Sequence, residues 1–337
     1  MKKVFEIFIV FALVLGLSSV FAGCARERGA KPVVVQLALE NHPGEPTTDA
    51  IFHWARLIEE RSGGTMVAEV FPSSQLGTKD QLIDQMLAGI GVITLGEGGF
   101  FSERGAPDMG ITVGPYFYRT WDEVWNMLES DWWAGQVRIM EDRGLKVLAS
   151  NWIYGDRHTL TIRPIRTLED FRGLKLRVPT HIIQIRGAEV LGATPTPLPL
   201  GEVYTALQQG VVEGVENPLA VLYGGRFHEV ARFLSLTSHI RMMASWFTGT
   251  IFFNSLSHEH QRILIETGKE AGLYNNELMA MADEEILAGF RAQGVEIIEV
   301  DLPSFQAAAQ AFYTMPEFLA RWSPGIVEAT NRAKAGR

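Results

Sequence analysis

Short runs of apolar and polar residues follow one another along the chain, and their period switches repeatedly between two residues and three to four. From Lys31 on, "VVVQLAL" (33–39) is a continuous apolar run of strand length. "TTDAIFHWARLIEERSGG" then places Ile51, Trp54, Ala55 and Ile58 on one helical face, with Thr47 or Thr48 as the expected cap and Gly63 as the stop. "TMVAEVF" (65–71) predicts a strand, "TKDQLIDQMLAG" a capped helix and "VITLGE" (92–97) a further strand. Val124, Leu128, Trp132, Val137 and Met140 predict one helix over 121–143, followed by the strand "LKVLASNW" (145–152). Alternation of this kind predicts an α/β protein with a mostly parallel sheet.

A second unit begins near Asn151. It holds "RHTLTI", a strand in "GLKLRVPTH" (173–181), helices at 181–191 and 202–209, and the strand "VVEGVE" (211–216). "ASWFTGTIFFN" (244–254) predicts one long strand, and Ser257 caps a helical stretch reaching Gln293. A globular helix rarely runs that far, and one that does leans on more than one body. The expected architecture is therefore two lobes joined by a hinge, with the long helix spanning both. Residues 31–154 with about 243–282 make lobe I, and 155–242 with about 283–337 make lobe II.

The first 30 residues read differently. "MKKVFEIFIVFALVLGLSSVFAGCAR" has two lysines, an apolar run and small residues before Cys24, the plan of an export signal. A retained membrane helix is the alternative, given about 15 to 18 apolar positions. Cys24 is the only cysteine, so the exported chain forms no internal disulfide. The formal charge is −9 from 30 basic and 39 acidic side chains, with no basic tract that could track a phosphate backbone. Nucleic acid is therefore excluded as a partner, whereas an anionic ligand is not, because one buried arginine outweighs a diffuse surface excess.

Several chemistries are missing from the pattern. There is no HExxH and no thiolate cluster for a metal; His258 and His260 flank Glu259 but do not share a helix face. "GEGGF" and "GGRF" complete neither a dinucleotide fingerprint nor a P-loop, and no GxSxG elbow is present. No cofactor is expected. What remains is a set of polar residues at the ends of strands, where open α/β sheets bind ligands. Asn41 and His42 follow the first strand and Glu97 the third; Trp152, Tyr154 and Arg157 lie at the lobe junction; Asn217 follows "GVVEGVE". Leu174, Leu176 and Val178 alternate with Lys175 and Arg177, and Pro179 ends the strand, so Arg177 is a cation at a strand tip. On pattern alone Arg177 serves equally well in a structural salt bridge, Asn217 as a turn cap, and Trp152 and Tyr154 as hinge packing.

With those residues in hand, the chain resembles the DctP-like solute-binding proteins of tripartite ATP-independent periplasmic (TRAP) transporters. "ENHP", "FPSSQLGTKDQLIDQMLAG", "GDRHTLTIRPIRTLEDFRGLKLRVP", "LGATPTPLPLGEVYTALQQGVVEGVENPL" and "FHEVARFLSLTSHI" carry the likeness. It implies a non-enzymatic periplasmic binding protein that closes on a small organic acid and delivers it to membrane permease subunits. Arg177 would hold the ligand carboxylate, Asn217 and Arg157 would join it, and Glu97 would read another polar group. "FAGC" resembles a lipobox, which would lipidate Cys24 and leave the lipid as the only membrane contact; simple cleavage is the alternative. A monomer is expected. Leu200, where sialic-acid binders carry an aromatic residue, and Lys79, where some members carry an acid, point away from sialic acid. A sugar acid such as a uronate and a C4-dicarboxylate both remain, the latter with Arg157 or His158 at its far end. A ligand sensor of a signalling system, or a lyase using Glu97 as base, are the alternative functions.

Overall fold

A computed structural model describes residues 31–336; the stretch expected to be an export signal, with Cys24, lies outside them. Among the described residues nine strands form one mixed sheet: β1 (Val33–Ala38), β2 (Met66–Phe71), β3 (Val92–Gly96), β4 (Leu145–Thr161), β5 (Lys175–Val178), β6 (Thr194–Pro197), β7 (Gly214–Pro218), β8 (Phe233–Gly249) and β9 (Glu296–Ile298). The order is β2-β1-β3-β8-β4-β7-β5-β6, with β9 beside β8. β4 and β8 are 17 residues each and antiparallel to one another. β3 joins the C-terminal half of β8, and β7 joins the C-terminal half of β4, both antiparallel. β1 is parallel to β3, and β5 is parallel to both β6 and β7. The sheet is thus mixed: its two longest strands run antiparallel to each other and to β7 and β3, while β9 lies parallel to β8. These strands carry the chain between the two ends of a two-lobed fold.

Other boundaries also differ from the sequence reading. "LKVLASNW" and "RHTLTI" are one strand, β4, whose alternation is broken by irregularities on either side of Trp152 and Gly155. The helix expected over 121–143 is two helices, Trp121–Glu129 and Asp131–Asp142. Ser130 is extended between them, and its hydroxyl accepts from Trp133 N, which starts the second helix. The buried face of that second helix is Trp133, Gln136 and Met140, one residue off the Trp132 register. The strand expected over 244–254 stops at Gly249, and Thr250–Ser255 turns helical with Phe253 inside and Ile251 exposed. A short apolar run is ambiguous between the two periods. The helix Pro46–Arg61 starts at Glu45, so Thr47 and Thr48 lie in its first turn; Pro46 at the first position fixes that start. "VVEGVE" pairs only from Gly214, after the chain turns at Gly210.

The long helix, His258–Ala292, begins under a Ser257 cap. It covers a cluster of fully buried indoles: Trp54, Trp152 and Trp246 lie 5.1–6.0 Å apart by ring centroid. Trp54 Nε1 donates to Thr267 Oγ1, and Trp152 Nε1 donates to Gly268 O, both at 2.9 Å. A second core, around Phe171, Leu174, Leu176, Val178, Leu191 and Phe305, backs β5. Among the described residues no helix is long and apolar enough to cross a membrane.

Candidate functional site

The C-terminal ends of β1, β3, β5 and β7 meet around a polar cavity, the place where open α/β sheets bind ligands. Arg177, Asn217, Arg157, Glu97, Asn41 and Tyr154 all line it.

Arg177 is 3 % exposed, whereas Lys175 on the same strand face is exposed, because only the strand tip runs under the cleft. Its Nε and Nη2 both donate to Leu198 O, at 2.9 and 2.6 Å. Among the described residues no carboxylate lies within salt-bridge distance of it. Burial pushes its pKa down to about 10, with Glu216 and Glu40 countering from farther off. It remains a cation at neutral pH, desolvated and without a counter-ion of its own. Asn217 is equally buried, and its Oδ1 has no hydrogen-bond partner among the described residues.

Arg157 is differently placed. Its Nε reaches Glu216 Oε2 at 2.5 Å and its Nη2 reaches Glu216 Oε1 at 2.7 Å, a two-pronged pair with both side chains buried. His239 Nε2 lies 3.2 Å from the same Glu216 carboxylate. Burial would raise the Glu216 carboxyl, but Arg157 and His239 hold it near 2. Arg157 is therefore neutralised before any ligand arrives. His158 lies outside the cavity lining, and burial, with His239 beside it, lowers its pKa to about 3. It is neutral at pH 7 and supplies no cation for the far end of a dicarboxylate.

Glu97 follows β3 and caps the short helix Gly98–Ser102 through a bond from Gly99 N. Its Oε1 lies 2.8 Å from His181 Nε2, close enough for charge pairing though poorly aligned for a hydrogen bond. Burial alone would raise the carboxyl; His181, the Gly99 N–H and Arg157 reverse this and hold it below the usual carboxylate range. Asn41 donates to Glu45 Oε2 at 2.6 Å and to Tyr154 Oη at 3.1 Å, which fixes the wall between them.

Two sequence candidates are not in this cavity. Trp152 is in the tryptophan core against the long helix. His42 bonds Ser73 Oγ through Nδ1 at 3.0 Å and lines a separate surface hollow. The cavity also contains residues that sequence reasoning missed as site residues, among them Glu40, Lys79 and Gln184. Lys79 Nζ donates to Leu95 O at 2.5 Å and lies 3.8 Å from Glu40; burial lowers its pKa while Glu40, Glu97 and Asp80 oppose that. Its sequence signal was a cation in the first turn of a capped helix, where the helix dipole favours acids. Among the described residues no cluster of three or more histidine, cysteine or acidic side chains could hold a metal ion.

A two-lobed sheet closing on a polar cavity, with a buried cation lacking its anion, is the plan of a solute-binding protein. Residues 37–319 match the model of the bacterial extracellular solute-binding proteins of family 7, DctP, and the chain belongs to that family of TRAP solute-binding proteins. It is 31 % identical over 261 residues to the sialic acid-binding periplasmic protein SiaP of Vibrio cholerae, covering 77 % of this chain and 80 % of that one. A TRAP periplasmic solute-binding protein from Ochrobacterium anthropi with bound L-fuconate superposes with a TM-score of 0.86 at 37 % identity, over 90 % of this chain and 99 % of that one. Its counterpart from Actinobacillus succinogenes with bound L-galactonate gives 0.86 at 33 % identity, with the same coverages.

Proposed function

We propose that this protein captures a small polyhydroxylated monocarboxylate, an aldonate or uronate, and delivers it to a TRAP permease in the membrane. The observation that carries this reading is Arg177, a buried guanidinium with no carboxylate partner, facing the cavity beside the unpartnered Asn217 Oδ1. A ligand carboxylate would supply the missing anion to a fork already held by Leu198, so little ordering cost is left on binding. Arg157 would support this through Glu216 rather than act as a second anion clamp.

The rest of the wall favours hydroxyls. Glu40, Asp80 and Glu97 line the cavity, each beside a partner (Lys79, Arg104 and His181), and their free lone pairs can accept hydrogen bonds from ligand hydroxyl groups. The L-fuconate and L-galactonate bound by the two structural relatives are acids of this class. Residues 31–154 with 243–282 would form one lobe and 155–242 with 283–337 the other. Contacts from both lobes then give the ligand its preference for the closed state.

The test is a thermal-shift and titration screen of residues 31–337 against aldonates, uronates, C4-dicarboxylates and sialic acid. Sugar acids are expected to stabilise the protein most, and a response confined to dicarboxylates would refute the substrate class. Arg177→Ala should weaken binding by roughly 30- to several-thousand-fold, the cost of truncating one partner of a buried charge pair. Lys175→Ala, on an exposed neighbour, should leave binding within about threefold. Equal effects of the two substitutions would remove Arg177 from its role.

A further inference from the structure

The chain contains two glutamines at the same position of a capped helix, and they behave differently. Thr78 caps the helix Lys79–Leu87, and Gln81 at its third position reaches back to Thr78 N at 2.9 Å, closing a capping box. His181 caps the helix Ile182–Val190, with Nδ1 accepting from Gln184 N at 3.5 Å. Gln184 holds the same third position but does not fold back. Its side chain is 3 % exposed, and neither Oε1 nor Nε2 has a hydrogen-bond partner among the described residues.

Gln184 lines the ligand cavity and also a second, small adjoining cavity. The second cavity is walled mainly by apolar side chains such as Phe171, Leu176, Val178 and Leu191. Its polar members, Glu216 and His239, are already engaged with each other, and Glu216 with Arg157. The partner for the Gln184 amide must then come from the ligand side. An unsatisfied buried amide is costly enough that its persistence calls for such a partner.

We propose that Gln184 is a specificity-determining residue that reads two neighbouring hydroxyl groups of the bound acid. Nε2 donates to the oxygen of one hydroxyl and Oε1 accepts the proton of the other, so one amide recognises a vicinal diol. An acid lacking those hydroxyls leaves both amide atoms buried and unpaired, which is how a polar site rejects an analogue. This assignment rests on the proposed function, because it requires an organic acid in the cavity.

The experiment is isothermal titration of the wild type and Gln184→Met, which preserves side-chain length, with a sugar acid and its deoxy analogue. The wild type should bind the hydroxylated acid about 10- to 100-fold more tightly than the analogue. In Gln184→Met the ratio should fall to within about threefold through loss of affinity for the hydroxylated acid alone. A ratio unchanged by the substitution, or equal loss for both ligands, overturns the proposal. If the wild type binds only dicarboxylates, the substrate class fails, but tartrate, whose two hydroxyls are vicinal, against succinate runs the same cycle. Coupling of Gln184 to the tartrate diol would then uphold its diol-reading role, and no coupling would end it. Binding of no acid at all overturns both readings.

Discussion

A Cβ at residue 99 would lie 2.1 Å from His181 Cε1, so Gly99 is what lets the Glu97 loop pack directly on the cap of the 182–190 helix. The His181 ring cannot retreat: it is fully buried, with Phe100 packed edge-on at 4.9 Å. Gly99→Ala should therefore destabilise by about 1–3 kcal/mol, the usual cost of overpacking. It should also weaken ligand binding, because Glu97 is held by Gly99 N and His181 together. Denaturant unfolding and titration check both; a variant as stable and as tight as the wild type would show that the loops part freely. Of the site's side chains, Arg177 was the most legible in the sequence, since alternation up to Pro179 marks a strand tip. The contact of His181 with Glu97 was not, because nothing local in either segment says that they meet. Trp152 was misplaced for a related reason: an aromatic at a lobe junction reads the same whether it packs under a helix or over a ligand.

At the scale of elements, the 258–292 helix repairs a strand. β4 loses its register around Ile153, and there the helix supplies side chains to the backbone. Ile153 N donates to Asn276 Oδ1 at 2.8 Å, Asn275 Nδ2 donates to Ile153 O at 2.9 Å, and Asn276 Nδ2 donates to Asn151 O at 2.9 Å. Close approach is possible because Gly272 leaves room for Asn151 and the Trp152 indole, which a Cβ would meet at 2.7 and 2.8 Å. Asn276→Ala removes the bonds to both Ile153 N and Asn151 O and should cost roughly 1–3 kcal/mol in unfolding free energy. A loss within about 0.5 kcal/mol would mean that the irregular strand satisfies itself in another way. The helix's length and cap were plain in the sequence from Ser257 and the unbroken run to Gln293. Its partner was not, because β4 read as two strands: the irregularities that interrupt alternation are the same ones that the helix makes good. The antiparallel pairing of β4 with β8 was missed for the same reason, since two short segments do not announce a 17-residue strand that runs through both ends of the fold.

For the molecule as a whole, two buried groups pull stability in opposite directions with pH. Burial raises the Glu45 carboxyl to about 7, against hydrogen bonds from Asn41 and His42 N that favour its charge. Its contribution is full below the ordinary value of 4.5 and is lost as pH rises through 7. His158, lowered to about 3, does the reverse: its contribution is present above 6.5 and is lost as pH falls toward 3. Between 4.5 and 6.5 the two slopes oppose, each about 1.4 kcal/mol per pH unit. Glu45→Gln removes one of them. Relative to the wild type, that variant should gain roughly 2–3 kcal/mol between about pH 5 and about pH 7.5. Unfolding curves that stay parallel over this interval would mean that Glu45 titrates as an ordinary surface acid. The consequence reaches the cavity, because Glu45 holds Asn41, and Asn41 holds Tyr154, both on the ligand wall. The amide introduced by Glu45→Gln retains an oxygen for Asn41 but gives up one acceptor, so ligand affinity measured across the same interval should lose its Glu45-linked pH dependence while keeping its dependence on Arg177.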